Sequence, residues 1–319
     1  VTRTREHRAE AVRDPGAPAE AFGLRVELPE DLLSDPLRPA PVGDPRPATV
    51  VSVERETIPE WSRAERVREA RSDGRIVWSV DADPERGFLM QAHDLATMLV
   101  SPDGLSVRCA PSRACTDGGW STLVPAQALP LAATLRGLEM LHASAVSIDG
   151  RALLFCAQQG TGKSSLAAQL VLRGAGLLGD DAVAIDDDRV AHPSTGAVHL
   201  RSTELARLDD ADRNALGIAK AVRFDGRAVG GVSPAPAAPI EAIYLLEHST
   251  ATPAIEALHA VDPKQLLAAT FNLSVRTPDR LLRHLDFCAE LARLVPVFRL
   301  RIGPGVDSSS LAQEVLRCR

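Results

Sequence analysis

The chain has 319 residues, 45% of them hydrophobic and 24% charged, with a formal net charge of −6. That length predicts about two domains with room for a sizeable core. The mildly acidic balance argues against nucleic-acid or anionic-membrane partners. Aromatic residues make up only 3%, so Leu, Val and Ala must fill the interior.

The start, VTRTREHRAEAVRD, lacks the apolar stretch of a secretion signal, and no apolar run approaches the 18 or so residues of a membrane span. Five scattered cysteines (Cys109, Cys115, Cys156, Cys288, Cys318) show neither metal-ligand spacing nor a disulfide pattern. A cytoplasmic protein with free thiols is expected.

Residues 1–20 are charged and Ala-rich, and read as a flexible tail. AFGLRVEL (21–28) reads as a strand, followed by a proline-rich connection from Pro29 to Pro47. From 48 to 110 the pattern favours strands, with ATVVSVERE, RIVWSVD, GFLMQA and LSVRCAP as short runs rich in Val, Ile and Phe, and turns at DPERG, SPDG and TDGG. Residues 21–122 are therefore expected to form a smaller β-rich N-terminal region. LVPAQALPLAATLRGLEML (123–141) reads as helical, with Leu129, Ala133, Arg136, Leu138 and Met140 opening a second region that runs to 319.

In that region ASAVSI and ALLFCA flank the turn IDGR, GKSSLAAQLVLRG reads as a helix stopped at Gly174, and LLGDDAVAI as a buried strand. Together they form a βαβ unit. The run Asp186–Asp188 with Arg189 reads as a hairpin turn. Further on, RSTELARL begins a helix with Ser202 or Thr203 as cap, SPAPAAP is a loop and IEAIYLLE a strand. Two helices open with a capping residue and proline, Asp262-Pro263 and Thr277-Pro278. In the second, Leu281, Leu285, Cys288, Ala292 and Val295 share one face. PVFRLRIG reads as the last strand.

The loop AQQGTGKSS (157–165) joins a strand to a helix and fits the phosphate-loop pattern G-x-x-x-x-G-K-[ST], except that Ala157 replaces the first glycine. Gly160, Thr161, Gly162, Lys163, Ser164 and Ser165 would cradle a nucleotide's phosphates. Backbone N–H groups and the helix N-terminus favour the anion, Lys163 reaches the β- and γ-phosphates, and Ser164 offers its hydroxyl to Mg²⁺. The pair Asp180-Asp181 follows 17 residues after Lys163. One carboxylate can hold Mg²⁺, and the other can accept a proton from an attacking hydroxyl. His142 falls at the start of the strand beside the phosphate-loop strand. Arg201, Arg223 and Arg227 are candidate clamps for phosphate oxygens.

The stretch HASAVSIDGRALLFCAQQGTGKSSLAAQLVLRGAGLLGDD resembles the catalytic core of the HPr kinase/phosphorylase family. There too a histidine near a strand, a phosphate loop, a helix ending in Arg-Gly and an Asp-Asp pair occur in this order. The resemblance covers residues 141 to about 186. The ending LVPVFRLRIG looks more like the HPr-kinase-like proteins of bacterial biosynthetic clusters, including lasso peptide kinases.

The resemblance implies an α/β fold of the P-loop kinase type shared with phosphoenolpyruvate carboxykinase. It also implies use of ATP and Mg²⁺, and transfer of phosphate to a serine of a peptide or small protein, with homo-oligomers known in the family. It makes Asp180 the general base, gives Asp181 a metal or substrate role beside Ser164, and sets His142 near the phosphates. Ser165 stands where the family usually carries an acidic residue, and its HPr-contacting motif is absent here. Two other readings follow, a regulatory nucleotide binder with little turnover and a small-molecule kinase on the same core.

Overall fold

The structure, a computed structural model, describes residues 17–29, 32, 36–115, 119–218, 227–250, 253–271 and 273–319. Nine strands come first: β1 (Ala19–Ala21), β2 (Leu24–Glu27), β3 (Arg38–Pro39), β4 (Thr49–Val53), β5 (Glu65–Ser72), β6 (Arg75–Asp83), β7 (Gly87–Ala92), β8 (Ala96–Val100) and β9 (Ser106–Pro111). They form one sheet in the order β3-β1-β2-β4-β9-β8-β7-β6-β5. Ala19 and Glu20, expected in the tail, belong to β1, and residues 1–16 lie outside the described residues.

DPERG and SPDG close the β6–β7 and β8–β9 hairpins as expected, while most of TDGG lies outside the described residues. Neither β5 nor β8 was expected. β5 is an edge strand with one buried residue, Val67, among charges, so it carries no alternating signal.

A single π-helical turn (Val124–Ala128) leads into α1 (Leu129–Leu135). Then come β10 (Glu139–Leu141), β11 (Ala143–Ile148), β12 (Arg151–Cys156), α2 (Lys163–Leu172), β13 (Gly176–Gly179), β14 (Val183–Ile185), β15 (Val190–His192), β16 (Ala197–Arg201), α3 (Ser202–Leu205), α4 (Asp210–Ala215), β17 (Arg227–Gly231), β18 (Ala238–His248), β19 (Ala254–Ala257), α5 (Pro263–Leu267), α6 (Pro278–Leu294), β20 (Val297–Ile302) and α7 (Ser308–Cys318).

The second large sheet runs β10-β14-β15-β18-β12-β11-β13, with β20 beside β18 and β19 beside β20. Three neighbours, β12, β18 and β20, are parallel. The fold is thus mixed α/β with two large mixed sheets. Alternation along β12 feeds both faces. Leu153 and Phe155 pack with Leu166 and Leu170 of α2 and Leu311 and Val315 of α7, whereas Leu154 and Cys156 pack with Phe287, Cys288 and Leu291 of α6. Losing a large buried side chain from such a layer costs about 3–5 kcal/mol. A third cluster joins the N-terminal sheet to α1 and to Met140, Ala184 and Phe271.

Several expectations need correction. The helix after Leu123 stops at Leu135, and Gly137 (φ 91°) turns the chain into β10, which pairs with β14. LLGDDAVAI is not one strand. It breaks at Asp180-Asp181, and its halves join different neighbours, β11 and β14's partners β10 and β15. The βαβ unit is split as well, because antiparallel β11 lies between β12 and β13.

On α6 the buried side is His284, Phe287, Cys288 and Leu291, leaving Leu281 and Leu285 exposed. Neither Ser202 nor Thr203 caps α3, whose N-cap is Arg201 without a side-chain bond. Asp262 and Thr277 do cap α5 and α6. Cys109, Cys156, Cys288 and Cys318 form no disulfide. Burial pushes the thiols of Cys109, Cys156 and Cys288 up to about 12. Among the described residues no helix is long and apolar enough to cross a membrane.

Candidate active site

The strand β12 ends at Cys156, and the loop 157–162 leads directly into α2. Gly160 (φ 90°) and Gly162 (φ 105°) hold left-handed conformations that favour glycine. Ala157 is absent from the positive-φ residues, so alanine meets no backbone strain there. Gly162 is the N-cap of α2 and brings no side chain to its N–H groups, which leaves the first turn open to an anion. At the other end, Gly174 and Ala175 donate their N–H groups to the Val171 and Leu170 carbonyls and close α2 in a Schellman motif.

A pocket of about 230 Å³ lies over this loop, at the C-terminal ends of β12, β18 and β20, where open α/β sheets bind ligands. Gly160, Thr161, Gly162, Lys163, Ser164, Ser165, His142 and Asp181 all line it. Lys163 is buried, and its Nζ donates to the Ala157 carbonyl (2.8 Å). Burial holds the ammonium's pKa below its usual value, against the opposing pull of Asp181 and Asp180.

His142 is held from behind. Its N–H donates to the Ala269 carbonyl (2.6 Å), and its ring stacks on Phe271. Nδ1 lies 2.8 Å from the Asp181 carbonyl, which can only accept, so Nδ1 carries the proton. Nε2 is then left to accept from Lys163 Nζ at 3.2 Å.

The two aspartates part company. Asp181, at φ 83°, turns its carboxylate into the pocket with half its side chain exposed (50%). Asp180 does not line the pocket, and its side chain is 0% exposed. The Ser144 hydroxyl donates to its Oδ1 (2.6 Å) and the His199 N–H to its Oδ2 (2.9 Å), with His199 Nδ1 at 3.5 Å. Burial pushes this carboxyl's pKa up, but the bonds from His199 and Ser144 outweigh it and hold the value below the usual 3.8. Asp180, expected as the general base, thus has both oxygens engaged by Ser144 and His199 and is not among the pocket-lining residues. Gly179 explains the tight packing here, because a Cβ on it would lie 2.7 Å from Ser194 Oγ.

Of the three arginines, Arg201 lines the pocket, and its Nη2 would lie 2.9 Å from a Cβ on Gly160. Arg223 lies outside the described residues, and Arg227 begins β17. Pocket residues that sequence reasoning missed include His199, Glu204, Arg207, His248 and Ser308. They come from separate elements, and no local pattern marks them.

A phosphate chain fits this cradle of uncapped N–H groups, buried lysine and overhanging arginine. Among the described residues no group of three His, Cys, Asp or Glu could hold a metal alone. Ser164 and Asp181 do supply two pocket oxygens, as Mg²⁺ needs when substrate phosphates complete its shell.

No protein-family model matches the chain, and no curated protein matches it either. Among solved structures, the chain is similar to one described as the Hpr(Ser) kinase/phosphatase from Coxiella burnetii. Identity is 13% and the TM-score 0.29, covering 56% of this chain and 94% of that one. At that score the backbones superpose too loosely to bear on activity.

Proposed function

We propose that the protein is a phosphotransferase that moves the γ-phosphate of ATP, with Mg²⁺, to a hydroxyl, taken as a serine of a peptide or small protein. The observation that carries this reading is the meeting of Lys163, His142 and Asp181 at the open turn of a glycine loop with left-handed Gly160 and Gly162.

Phosphoryl transfer asks for positioning and charge neutralisation more than for covalent chemistry by the protein. Lys163 leaves His142 and the Ala157 carbonyl to contact the β- and γ-phosphates, and Arg201 steadies the phosphate oxygens from across Gly160. Mg²⁺, when bound, neutralises phosphate charge, and Ser164 and Asp181 are the residues that would hold it. Asp181 also takes the part first expected of Asp180, accepting the hydrogen bond and then the proton of the incoming hydroxyl. Asp180 instead anchors the turn that aims Asp181.

A serine of a peptide or small protein as acceptor is supported by the family resemblance alone. The test is mass spectrometry of candidate peptides after incubation with the protein, ATP and Mg²⁺. Gain of one phosphate on serine, absent with Lys163→Ala, is expected. Nucleotide binding without phosphate gain on any peptide or small molecule would favour a regulatory binder, a reading that the occupied oxygens of Asp180 make worth testing.

A further inference from the structure

His142 is held at three points and lines the pocket. Its backbone N–H donates to the Ala269 carbonyl (2.6 Å), and its ring stacks on Phe271, whose own N–H donates to the Met140 carbonyl (3.0 Å). Nδ1–H meets the Asp181 carbonyl at 2.8 Å, with Asp181 Oδ1 at 3.3 Å. A proton fixed on Nδ1 leaves the ring's lone pair on Nε2, which faces Lys163 Nζ at 3.2 Å. Lys163 has a second acceptor in the Ala157 carbonyl at 2.8 Å, so it does not depend on that nitrogen for its place. Once the lysine turns to a nucleotide's phosphates, the Nε2 lone pair is left beside them.

We infer that His142 Nε2 is itself a phosphate acceptor, so that a phosphohistidine stands between the nucleotide and the hydroxyl. The inference rests on the phosphotransferase reading and adds a covalent intermediate to it. In the first step the Nε2 lone pair forms a bond to the γ-phosphorus. The bond from that phosphorus to the β–γ bridging oxygen breaks, and its electron pair leaves with ADP. The ring becomes an imidazolium that keeps its proton on Nδ1, where the Asp181 carboxylate offsets the charge. In the second step the oxygen of the incoming hydroxyl attacks the phosphorus. The electron pair of the N–P bond returns to Nε2, and the hydroxyl's proton passes to Asp181. Histidine forms covalent intermediates of this kind, and the hydrogen bond on one ring nitrogen decides that the other attacks.

The test is incubation of the full chain with Mg²⁺ and ATP labelled in its γ-phosphate, without acceptor, followed by an alkaline quench. An N–P bond survives alkali and is lost in acid, the reverse of phosphoserine. An acid-labile phosphate mapped to His142 is expected and, in a parallel reaction, passage of label from ADP into ATP. His142→Gln is expected to lose both signals. The wild-type measurements need no variant to fold. Phosphate gain on a peptide serine with neither signal would overturn the intermediate and leave the phosphotransferase standing. An acid-stable label alone, or an acid-labile label that persists in His142→Gln, would overturn it too. Both signals without transfer to any hydroxyl would uphold the phosphohistidine and overturn the hydroxyl acceptor. If phosphate reached neither the chain nor any acceptor, the phosphotransferase reading would fall and the intermediate with it.

Discussion

Asp180 and Asp181 share a chemistry, and their surroundings separate them. A carboxylate whose oxygens are both taken by buried donors is a poor proton acceptor, because protonation would break bonds that water cannot replace. Asp181→Asn is expected to cut transfer by about 10² to 10⁴, the usual share of a general base, and, through the lost Mg²⁺ ligand, to weaken Mg²⁺–ADP binding by a smaller factor. Single-turnover transfer beside a binding titration separates the two quantities.

Asp180→Asn should act on stability. The folded-state pKa of Asp180 is depressed, so its contribution is present above the unfolded value near 3.8 and is lost as pH falls through the folded value. Denaturation midpoints followed from neutral to acid pH should therefore start lower in the variant and fall less steeply. An unchanged acid limb would show that another group carries that dependence.

The loop and α2 form one unit at the scale of elements. The helix begins at an uncapped glycine and ends in a Schellman turn, so its N-terminal N–H groups are kept for a ligand. Gly160 is the tightest point. Alanine there would hold a left-handed conformation that costs about 1–2 kcal/mol, with its methyl against Arg201. Gly160→Ala is expected to weaken ADP binding by about tenfold or more and to lower stability by no more than that strain. A large fall in melting temperature without loss of binding would contradict that.

Much of this unit was legible in the sequence. Glycine spacing, the apolar run of β12 and the stop at Gly174 are local signals, and local backbone chemistry enforces them. The face of α6 was not legible. Leucine spacing pointed to Leu281 and Leu285, whereas the buried His284 faces Glu139 of β10, a partner 145 residues away. A polar residue that pairs across the fold is invisible to hydrophobic periodicity.

For the whole molecule, the buried cluster around Glu139 ties distant segments together. Arg280 meets both carboxylate oxygens at 2.7 Å, His284 Nδ1 donates at 2.7 Å, and Arg283 lies at 3.4 Å while also reaching Asp187 of the β14–β15 hairpin. The apolar cluster on the N-terminal sheet includes Met140 beside Glu139, so the two sheets share packing. Glu139→Ala leaves the largely buried Arg280 without its partner and is expected to cost about 3–5 kcal/mol. All three tryptophans, Trp61, Trp78 and Trp120, lie in the first 120 residues. Their fluorescence and the far-UV signal should shift together in chemical denaturation of this variant. Separate transitions would show two independent units.

Read alone, the sequence determined the glycine loop, the strand before it, the helix after it and the residue types a phosphate site requires. It did so because each depends on neighbours within a turn or two of chain. The tertiary structure alone decided which aspartate faces the pocket and which arginine overhangs the loop. Those depend on a strand break at Asp180-Asp181 and on the packing of β16, β20 and α7 around one sheet edge, contacts that no local spacing encodes.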